Sequence, residues 1–504
     1  MQSLGLKLEF LQKCVIFCVC TTPLVVFAQQ PSLPLPAHPE RLMESPEHTA
    51  PRESQPGRET RKMDSIPSRG PNVRRPIPGQ PGRNLPPVGG EGTEAEGEAG
   101  TEDAAAEESL EAEDLGLIRR LPHSLRDGAW TLEYIYTGES FTKAHGGLSN
   151  DTATNYRSNT DIVSIIDTER MNWWEGGRIF VYGQNVFGKT LSARYVGDTQ
   201  LFSNIDSTIS DEARPHFTSI AEYWYEHFTG DNRWRFKIGK QDSNVDFAYS
   251  DLGGEFVHSS FGMPPMIPLP TFPSQALGVA TFLNLTEGAA IGVGVYDGTA
   301  PDGPQGVRWG FDTLGHNGAI SLFQLELKPQ LGKNGQLPNS TRVGMWHHSD
   351  SDVWTEYTTD PSPRTFVQNY GFWSTMDQLI WKEEYGTDDE QGLGVFGMFG
   401  WAPGNRNAIQ ESYGLGVVYK GLLPNRDYDV LGIGMADILF SGPYRQASLA
   451  DGTVVGSYEN AIEVFYKYIA SPYISVQPDI QFIANPSGQY RDALVPGLRF
   501  EVVL

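Results

Sequence analysis

The side chains best suited to holding a small polar solute are concentrated between residues 220 and 256. Carboxylates and cations pair with hydroxyl groups, and an aromatic ring packs against the apolar face of a solute ring. Strand parity places Glu222 and Glu226 on the same face as Trp224. The candidate solute path consists of Glu222, Trp224, Glu226, Arg235, Lys237, Asp242 and Asp246. The alternative for each of them is a wall residue that contacts no solute.

Patterns for covalent or metal chemistry are weak in this chain. His347 and His348 are adjacent on a predicted strand, so their side chains point to opposite faces and make a poor metal pair. The run that begins at Asp242 has the opening spacing of a calcium loop, but Phe247 and Gly253 stand where that loop needs glycine and glutamate. The chain contains no nucleophile elbow. The sequence therefore predicts no enzyme activity, no cofactor and no metal site.

The same residues define the local structure that holds the candidate side chains. Trp234, Phe236 and Ile238 alternate with Arg235 and Lys237, which is the period of a strand with one apolar and one charged face. Residues 230–232 are Gly-Asp-Asn, which suit a tight turn after the preceding strand. The pattern predicts a β-hairpin with all of its cations on one side.

This alternation recurs to the end of the chain. Every Trp and Tyr lies beyond residue 127, so the folded unit is expected over residues 127–504. That length accommodates about 16 strands of an outer-membrane barrel. Beyond the hairpin, the expected strands are Trp130–Tyr136, Arg178–Asn185, Gly288–Tyr296, Ala319–Leu327, Arg342–His348, Phe366–Thr375, Leu379–Tyr385, Leu393–Trp401, Tyr413–Lys420, Val430–Phe440, Ala461–Ile469, Tyr473–Phe482 and the terminal strand. The predicted fold class is all-β, a transmembrane antiparallel β-barrel of about 16 strands with a disordered N-terminal extension; a soluble β-sandwich is the alternative.

The terminal strand indicates which face meets lipid. Leu498 and Phe500 alternate with Arg499 and Glu501, and the chain ends on an apolar residue, as outer-membrane barrels commonly do. A cation facing lipid at mid-membrane costs about 2–4 kcal/mol, so the charged faces are expected to line the lumen. Aromatic residues near strand ends suit the two interfacial girdles: Trp130, Trp401 and Tyr473.

The N-terminal part has a different composition. Residues 1–28 have the pattern of an export signal, with cleavage near Ala28, and an N-terminal membrane anchor is the alternative. All three cysteines fall within this segment, so the mature chain is expected to contain no disulfide. Residues 29–126 are rich in proline and then acidic, without Trp or Tyr, which predicts a disordered linker. The linker is either a solvated spacer or a tether that contacts an anionic cell-wall polymer through its arginines.

The overall charge excludes one class of partner. The formal net charge is −24 and the isoelectric point is about 4.8. Nucleic-acid binding requires clustered cations, so it is not expected.

Eight segments of the chain resemble the carbohydrate-selective porins of the OprB type. They are GGRIFVYGQN (176–185), SARYVGD (192–198), AEYWYE (221–226), KIGKQDSNVDFAYSDLGGEFVHSSFGMPP (237–265), VYDG (295–298), RVGMWHHS (342–349), ISVQPDIQFIANPSG (474–488) and DALVPGLR (492–499). These segments occur in order over most of residues 130–504. The N-terminal extension and the loops 352–364 and 403–411 have no counterpart in the resemblance.

The resemblance implies a 16-stranded channel in the outer membrane of a Gram-negative-type bacterium that passes sugars by passive diffusion. A structural or adhesive barrel with little solute flux is the alternative, and a secreted soluble carbohydrate-binding protein is a second. The implied partners are small sugars and outer-membrane lipid, and the sequence leaves a monomer and a homo-oligomer open. A proline-rich segment contains Pro264, Pro265, Pro268, Pro270 and Pro273. It either folds inward as a constriction or forms a surface loop.

Overall fold

The computed structural model describes residues 128–206, 216–229, 232–298, 309–311, 313–316, 318–332, 335–385 and 391–504. The predicted export signal at 1–28 and the predicted linker at 29–126 lie outside the described residues. Both remain predictions, as does the domain boundary at residue 127.

Sixteen long strands make up the described architecture. In chain order they are β1 (Trp130–Lys143), β2 (Ala153–Asp167), β3 (Gly177–Gly188), β4 (His216–Phe228), β5 (Trp234–Gln241), β6 (Ala276–Thr286), β7 (Ala289–Asp297), β8 (Ala319–Leu327), β9 (Leu337–Thr355), β10 (Thr365–Lys382), β11 (Gly392–Trp401), β12 (Ile409–Lys420), β13 (Val430–Phe440), β14 (Tyr458–Ser471), β15 (Ile474–Ala484) and β16 (Arg491–Val503). Two short segments, His145–Gly147 and Gln330–Leu331, add to the sheet. One α-helix, α1 (Gly442–Ala450), lies between β13 and β14. Among the described residues, none of the helices has the length and apolar character needed to cross a membrane.

The sheet closes on itself because β1 pairs with β16 as well as with β2. In the closing pair Ile135 lies opposite Val503 and Ser140 lies opposite Leu498, and the strands are antiparallel. Closure satisfies backbone donors and acceptors that a sheet edge would expose, which is what lipid requires of a β-structure. The predicted antiparallel barrel is therefore confirmed.

Some strand predictions are wrong in detail. Phe366–Thr375 and Leu379–Tyr385 were expected as two strands, but they form one, β10. The alternation breaks there because the register of β10 against β11 shifts between Leu379 and Trp381.

Two strands have no counterpart among the predictions, β2 and β6. The first half of β2, ATNYRSNTD, is polar on both faces and therefore reads like a loop. β6, ALGVATFLNLT, mixes small and apolar residues without alternation, because its inward face packs against other protein rather than water.

The outer and inner faces of the barrel differ sharply in chemistry. The outer face presents aliphatic side chains that are 40% to 57% exposed, among them Leu132, Ile162, Val181, Ile238, Val293, Val343, Leu415, Ile433, Ile480 and Leu498. Inward neighbours on the same strands are charged and buried, including Lys237, Arg342 and Arg499. An apolar outer belt and a charged interior are the arrangement of a barrel that crosses lipid.

The two ends of the barrel differ in the length of their connections. One end carries the short turns, such as residues 287–288 and 472–473. The other end carries the long ones, residues 189–215, 242–275, 298–318 and 441–457. Short turns face the periplasm and long loops face the exterior in outer-membrane barrels, so the long end is the external end.

Residues 242–275 connect β5 to β6 and fold into the barrel, where most of them are buried. We call them the inward segment; they contain the proline-rich stretch. Glycines in the wall make room for them: a Cβ at Gly434 would lie 2.8 Å from both the Phe256 and the Phe261 ring, and one at Gly294 would lie 3.0 Å from Phe247. Of the two placements left open by the sequence, the structure has the inward one.

Candidate solute path through the barrel lumen

The inward segment is anchored where it leaves β5. The Asp242 carboxylate accepts backbone N–H groups from Asn244 at 2.9 Å and from Phe272 at 3.2 Å, which ties the two ends of the segment together. Burial and the neighbouring Glu222 carboxylate raise the pKa of Asp242 to about 7. This carboxyl group therefore titrates near neutral pH.

Four of the predicted residues meet in an ion-pair network on the wall formed by β4 and β5. Lys237 Nζ lies 2.9 Å from Asp246 Oδ2, and Arg235 Nη2 lies 2.5 Å from Asp246 Oδ1. Arg235 Nη1 also lies 3.5 Å from Glu226 Oε2. Burial opposes ionisation of Asp246, but the charges of Arg235 and Lys237 outweigh it and hold the pKa of that carboxyl group well below its usual range. The network fixes the inward segment to the wall.

Trp224 and Glu222 complete this wall. Trp224 Nε1 donates to Glu222 Oε2 at 3.0 Å, and the Lys237 ammonium lies 4.4 Å from the Trp224 ring centroid. The Trp224 ring also stacks on Phe180 at 4.5 Å with an interplanar angle of 10°. Since the ring already packs against Phe180 and Lys237, its main contacts are with the protein.

The structure thus brings all seven predicted residues together, but it buries six of them. Glu222, Trp224, Glu226, Lys237, Asp242 and Asp246 are each 7% exposed or less. The side chain of Arg235 is 25% exposed, which makes it the accessible member. Their role in contacting a solute remains a prediction.

Sequence reasoning missed a second charged cluster farther along the inward segment. Arg342 on β9 stacks its guanidinium 3.6 Å from the Tyr249 ring centroid. Its nitrogens lie 3.0 Å from Glu326, 3.2 Å from Asp251 and 3.3 Å from Asp377. Arg342 is buried, whereas the Asp251 side chain is 51% exposed. This cluster offers a hydroxyl-binding carboxylate and a half-buried aromatic ring beside each other.

A parity argument could not have found this cluster. Tyr249 and Asp251 lie in the irregular inward segment, where side chains do not alternate between two faces. Arg342 and Glu326 lie on strands that are far from this segment in sequence. The available signal was local: Tyr249 and Asp251 belong to the segment 237–265, which carries the longest match to the porin resemblance.

The far side of the inward segment is attached to β14 and β15. Glu463 accepts the backbone N–H groups of Val257 at 2.7 Å and His258 at 2.8 Å, and Lys467 lies 3.0 Å from Glu255. Gln477 donates to the Glu255 carbonyl at 3.0 Å. Attachment on both walls makes the inward segment a bridge across part of the lumen.

A second stretch, within residues 189–206, also lies inside the barrel at its external end. The Asp206 carboxylate accepts from Arg157 at 2.5 Å and from the backbone N–H of Leu191 at 2.8 Å. Ser259 of the inward segment donates its N–H to the Leu201 carbonyl at 3.1 Å. The two stretches therefore contact each other and narrow the lumen together.

The histidine pair behaves as its spacing indicates. His347 bonds to Gln368 at 3.1 Å, whereas His348 is buried and bonds to the Gly298 carbonyl at 2.7 Å. Within the described ranges, no group of three or more His, Cys, Asp or Glu residues has a geometry that could hold a metal ion.

Comparison with known proteins gives a consistent result. The model of the carbohydrate-selective porin, OprB family, matches residues 151–504. Porin B of Pseudomonas aeruginosa is 22% identical over 409 residues, which covers 75% of this chain and 88% of that protein. The putative porin QuiX of Acinetobacter baylyi is 23% identical over 392 residues, covering 71% of this chain and 86% of that protein.

Among solved structures, the high-pH structure of Pseudomonas putida OprB superimposes with a TM-score of 0.66. It is 19% identical and covers 76% of this chain and 96% of the OprB chain. At that identity the likeness supports the fold, which is the same closed barrel described above.

Proposed function

The chain belongs to the OprB family of carbohydrate-selective porins, and from this premise we propose that permeant sugars pass along the exposed side of the inward segment at Tyr249 and Asp251. As a family member it is an outer-membrane porin that passes sugars by passive diffusion. The observation that carries the finer proposal is the exposure of Asp251, 51%, beside a tyrosine ring that Arg342 backs at 3.6 Å.

The chemistry of this position suits a sugar. The Asp251 carboxylate accepts hydroxyl hydrogens, and the Tyr249 ring offers a flat apolar surface to a pyranose. Arg342 orients both groups and is itself buried, so the position is rigid before a sugar arrives. Arg235, a quarter exposed, adds a cationic donor from β5.

We propose a supporting role for the six buried residues of the predicted path. Glu222, Trp224, Glu226, Lys237, Asp242 and Asp246 hold the inward segment at a fixed distance from β4 and β5. On this view they determine the width of the path without touching the solute, and Arg235 is the member that contacts it.

Family members are channels, and we propose that this chain likewise carries no enzyme activity and no cofactor. The apolar outer belt supports contact with outer-membrane lipid. The arginines of residues 29–126 are the proposed contact with a cell-wall polymer. The family resemblance allows a monomer and a homo-oligomer alike. A structural or adhesive barrel is the competing proposal, and it requires that little solute passes.

The sugar position is tested by titrating glucose against the ion current of single channels in planar bilayers. We expect Asp251→Asn to weaken the block by glucose about threefold to tenfold, since it removes a charged acceptor of sugar hydroxyl groups. Asp360→Asn is the matched control, because Asp360 lies on an exposed external loop. Equal glucose block in all three proteins would refute the assignment of the sugar position to Asp251.

A further inference from the structure

The hairpin of β9 and β10 extends beyond its neighbour at the external end. Trp401 ends β11 and pairs with Phe372, so residues 365–371 of β10 continue past the last residue of β11. Alternate residues of this extension face outward with Phe372, which is 46% exposed, and Tyr370, which is 37% exposed.

Aromatic rings mark the level of the lipid boundary on this surface. The Trp401 ring centroid lies 5.9 Å from that of Phe372 and 6.3 Å from that of Tyr370. Clustered aromatics at the ends of barrel strands occupy the interface between acyl chains and headgroups. Groups that lie beyond Tyr370 on the outer face are therefore at headgroup height in the external leaflet.

Two guanidinium groups converge at that height. Arg406, in the connection between β11 and β12, lies 3.8 Å from the Phe366 ring centroid and 5.7 Å from that of Tyr370. Arg364 lies 5.8 Å from the same Phe366 ring. We call Arg364 and Arg406 the outer arginine pair.

The hydrogen bonds of the pair leave donors available. Arg406 donates from Nε to Asn405 at 3.2 Å and from Nη1 to the Gln368 carbonyl at 2.9 Å. Within the described ranges it forms no ion pair. Arg364 bonds to Glu356 through Nε at 2.9 Å and also through Nη2, which leaves Nη1, and its side chain is 72% exposed. Arg364, Arg406 and Glu356 together carry one net positive charge, whereas the whole chain carries a net charge of −24.

We propose that the outer arginine pair binds a phosphate group of an anionic lipid in the external leaflet. Guanidinium groups match phosphate oxygens with paired, charge-assisted hydrogen bonds. A phosphate between the two cations offsets their mutual repulsion, and the aromatic rings beneath it hold the arginine planes in place. The position at headgroup height, above the outer aromatic rings, assigns the phosphate to a lipid.

A purely structural role for Arg406 is the competing explanation. Its hydrogen bond satisfies the backbone carbonyl of Gln368, which lies in the part of β10 that has no β11 partner. This bond alone would account for the position of Arg406. The two explanations differ in what they predict for phosphate binding by variants that remain folded.

The test measures lipid binding to the full chain, folded in detergent micelles, by native mass spectrometry. The probes are lipid A with its phosphates, the same lipid after dephosphorylation, and inorganic phosphate. We expect the native chain to prefer phosphorylated lipid A about tenfold. Arg364→Gln combined with Arg406→Gln should abolish that preference, and Arg170→Gln, a control at the periplasmic end with an arginine that is 57% exposed, should keep it.

Folding is monitored in each variant by heat-modifiable migration. Should Arg406→Gln fail to fold, Arg406→Lys with Arg364→Gln carries the test, because lysine keeps one charge and the bond to Gln368. Equal binding of the two lipids by the native chain would overturn the proposal, as would an undiminished preference in a folded variant that lacks both arginines. Displacement of lipid A by micromolar inorganic phosphate would assign the site to free phosphate and overturn the lipid source.

Discussion

Replacing Asp246 by alanine should release the first part of the inward segment from the barrel wall. Asp246 holds two cations, Lys237 at 2.9 Å and Arg235 at 2.5 Å. Without it the Lys237 ammonium, whose side chain is 2% exposed, has no ion-pair partner among the described residues and keeps its contact with the Trp224 ring at 4.4 Å.

The burial of the ion pairs of Asp246 sets the free-energy cost of removing its carboxylate. Removing one partner of a buried ion pair costs about 3–5 kcal/mol, because the other charge is left unpaired. We take about 3 kcal/mol, the lower end of that range, because the Arg235 side chain is 25% exposed and can be hydrated. This corresponds to about a hundredfold rise in the population of the released segment.

The assay combines single-channel conductance with the denaturant midpoint of unfolding in detergent. We expect Asp246→Ala to raise both the conductance and its fluctuations, and to lower the midpoint. Asp251→Asn is the control for the unfolding midpoint: its carboxylate is half exposed, so its pairing should contribute about 1 kcal/mol or less. Replacing Lys237 by methionine in the Asp246→Ala chain should recover part of the loss, because it removes the unpaired charge. Native conductance and a native midpoint in Asp246→Ala would refute the anchoring role.

Two further predictions concern pH and the lipid face. The pKa of Asp242 is raised to about 7 from an ordinary value of 3.8, so the folded form binds the proton more tightly; its stabilising contribution is complete below about pH 4 and is lost as pH rises through 7. Asp242→Asn should therefore flatten the fall in unfolding midpoint between pH 5 and pH 8, and an identical pH dependence in both chains would exclude this role. Ile238 is outward and 44% exposed, so Ile238→Lys should cost about 2–4 kcal/mol and impair assembly in lipid, with Ile238→Leu as control. Normal heat-modifiable barrel formation by Ile238→Lys would mean that the outer face at this position does not meet lipid.

Strand parity was sufficient to predict which side chains of the barrel wall face outward and which face inward. Trp234, Phe236 and Ile238 alternate with Arg235 and Lys237, and the structure places the first three outward and the two cations inward. This works because lipid on one side and protein or water on the other impose opposite chemistry on neighbouring residues. Where that contrast fades, as in the polar first half of β2, the strand was missed.

The interior could not be predicted to the same extent. The placement of residues 242–275 depends on contacts such as Ser250 with Asp377 at 2.7 Å and Val257 with Glu463 at 2.7 Å, which join residues more than a hundred positions apart. No local period reports such pairings, and proline suits an inward bridge as well as a surface loop. For the same reason Tyr249 and Asp251 were overlooked, although Asp242 and Asp246 were found beside them.

The most direct test of the account is the swelling of liposomes that contain the refolded chain. Glucose, a disaccharide and an amino acid of similar size to glucose are compared at equal osmotic strength. We expect both sugars to enter, glucose faster than the disaccharide, and glucose to enter faster than the amino acid. Failure of every solute to enter liposomes that hold folded protein would contradict sugar diffusion through this barrel and favour a structural or adhesive role.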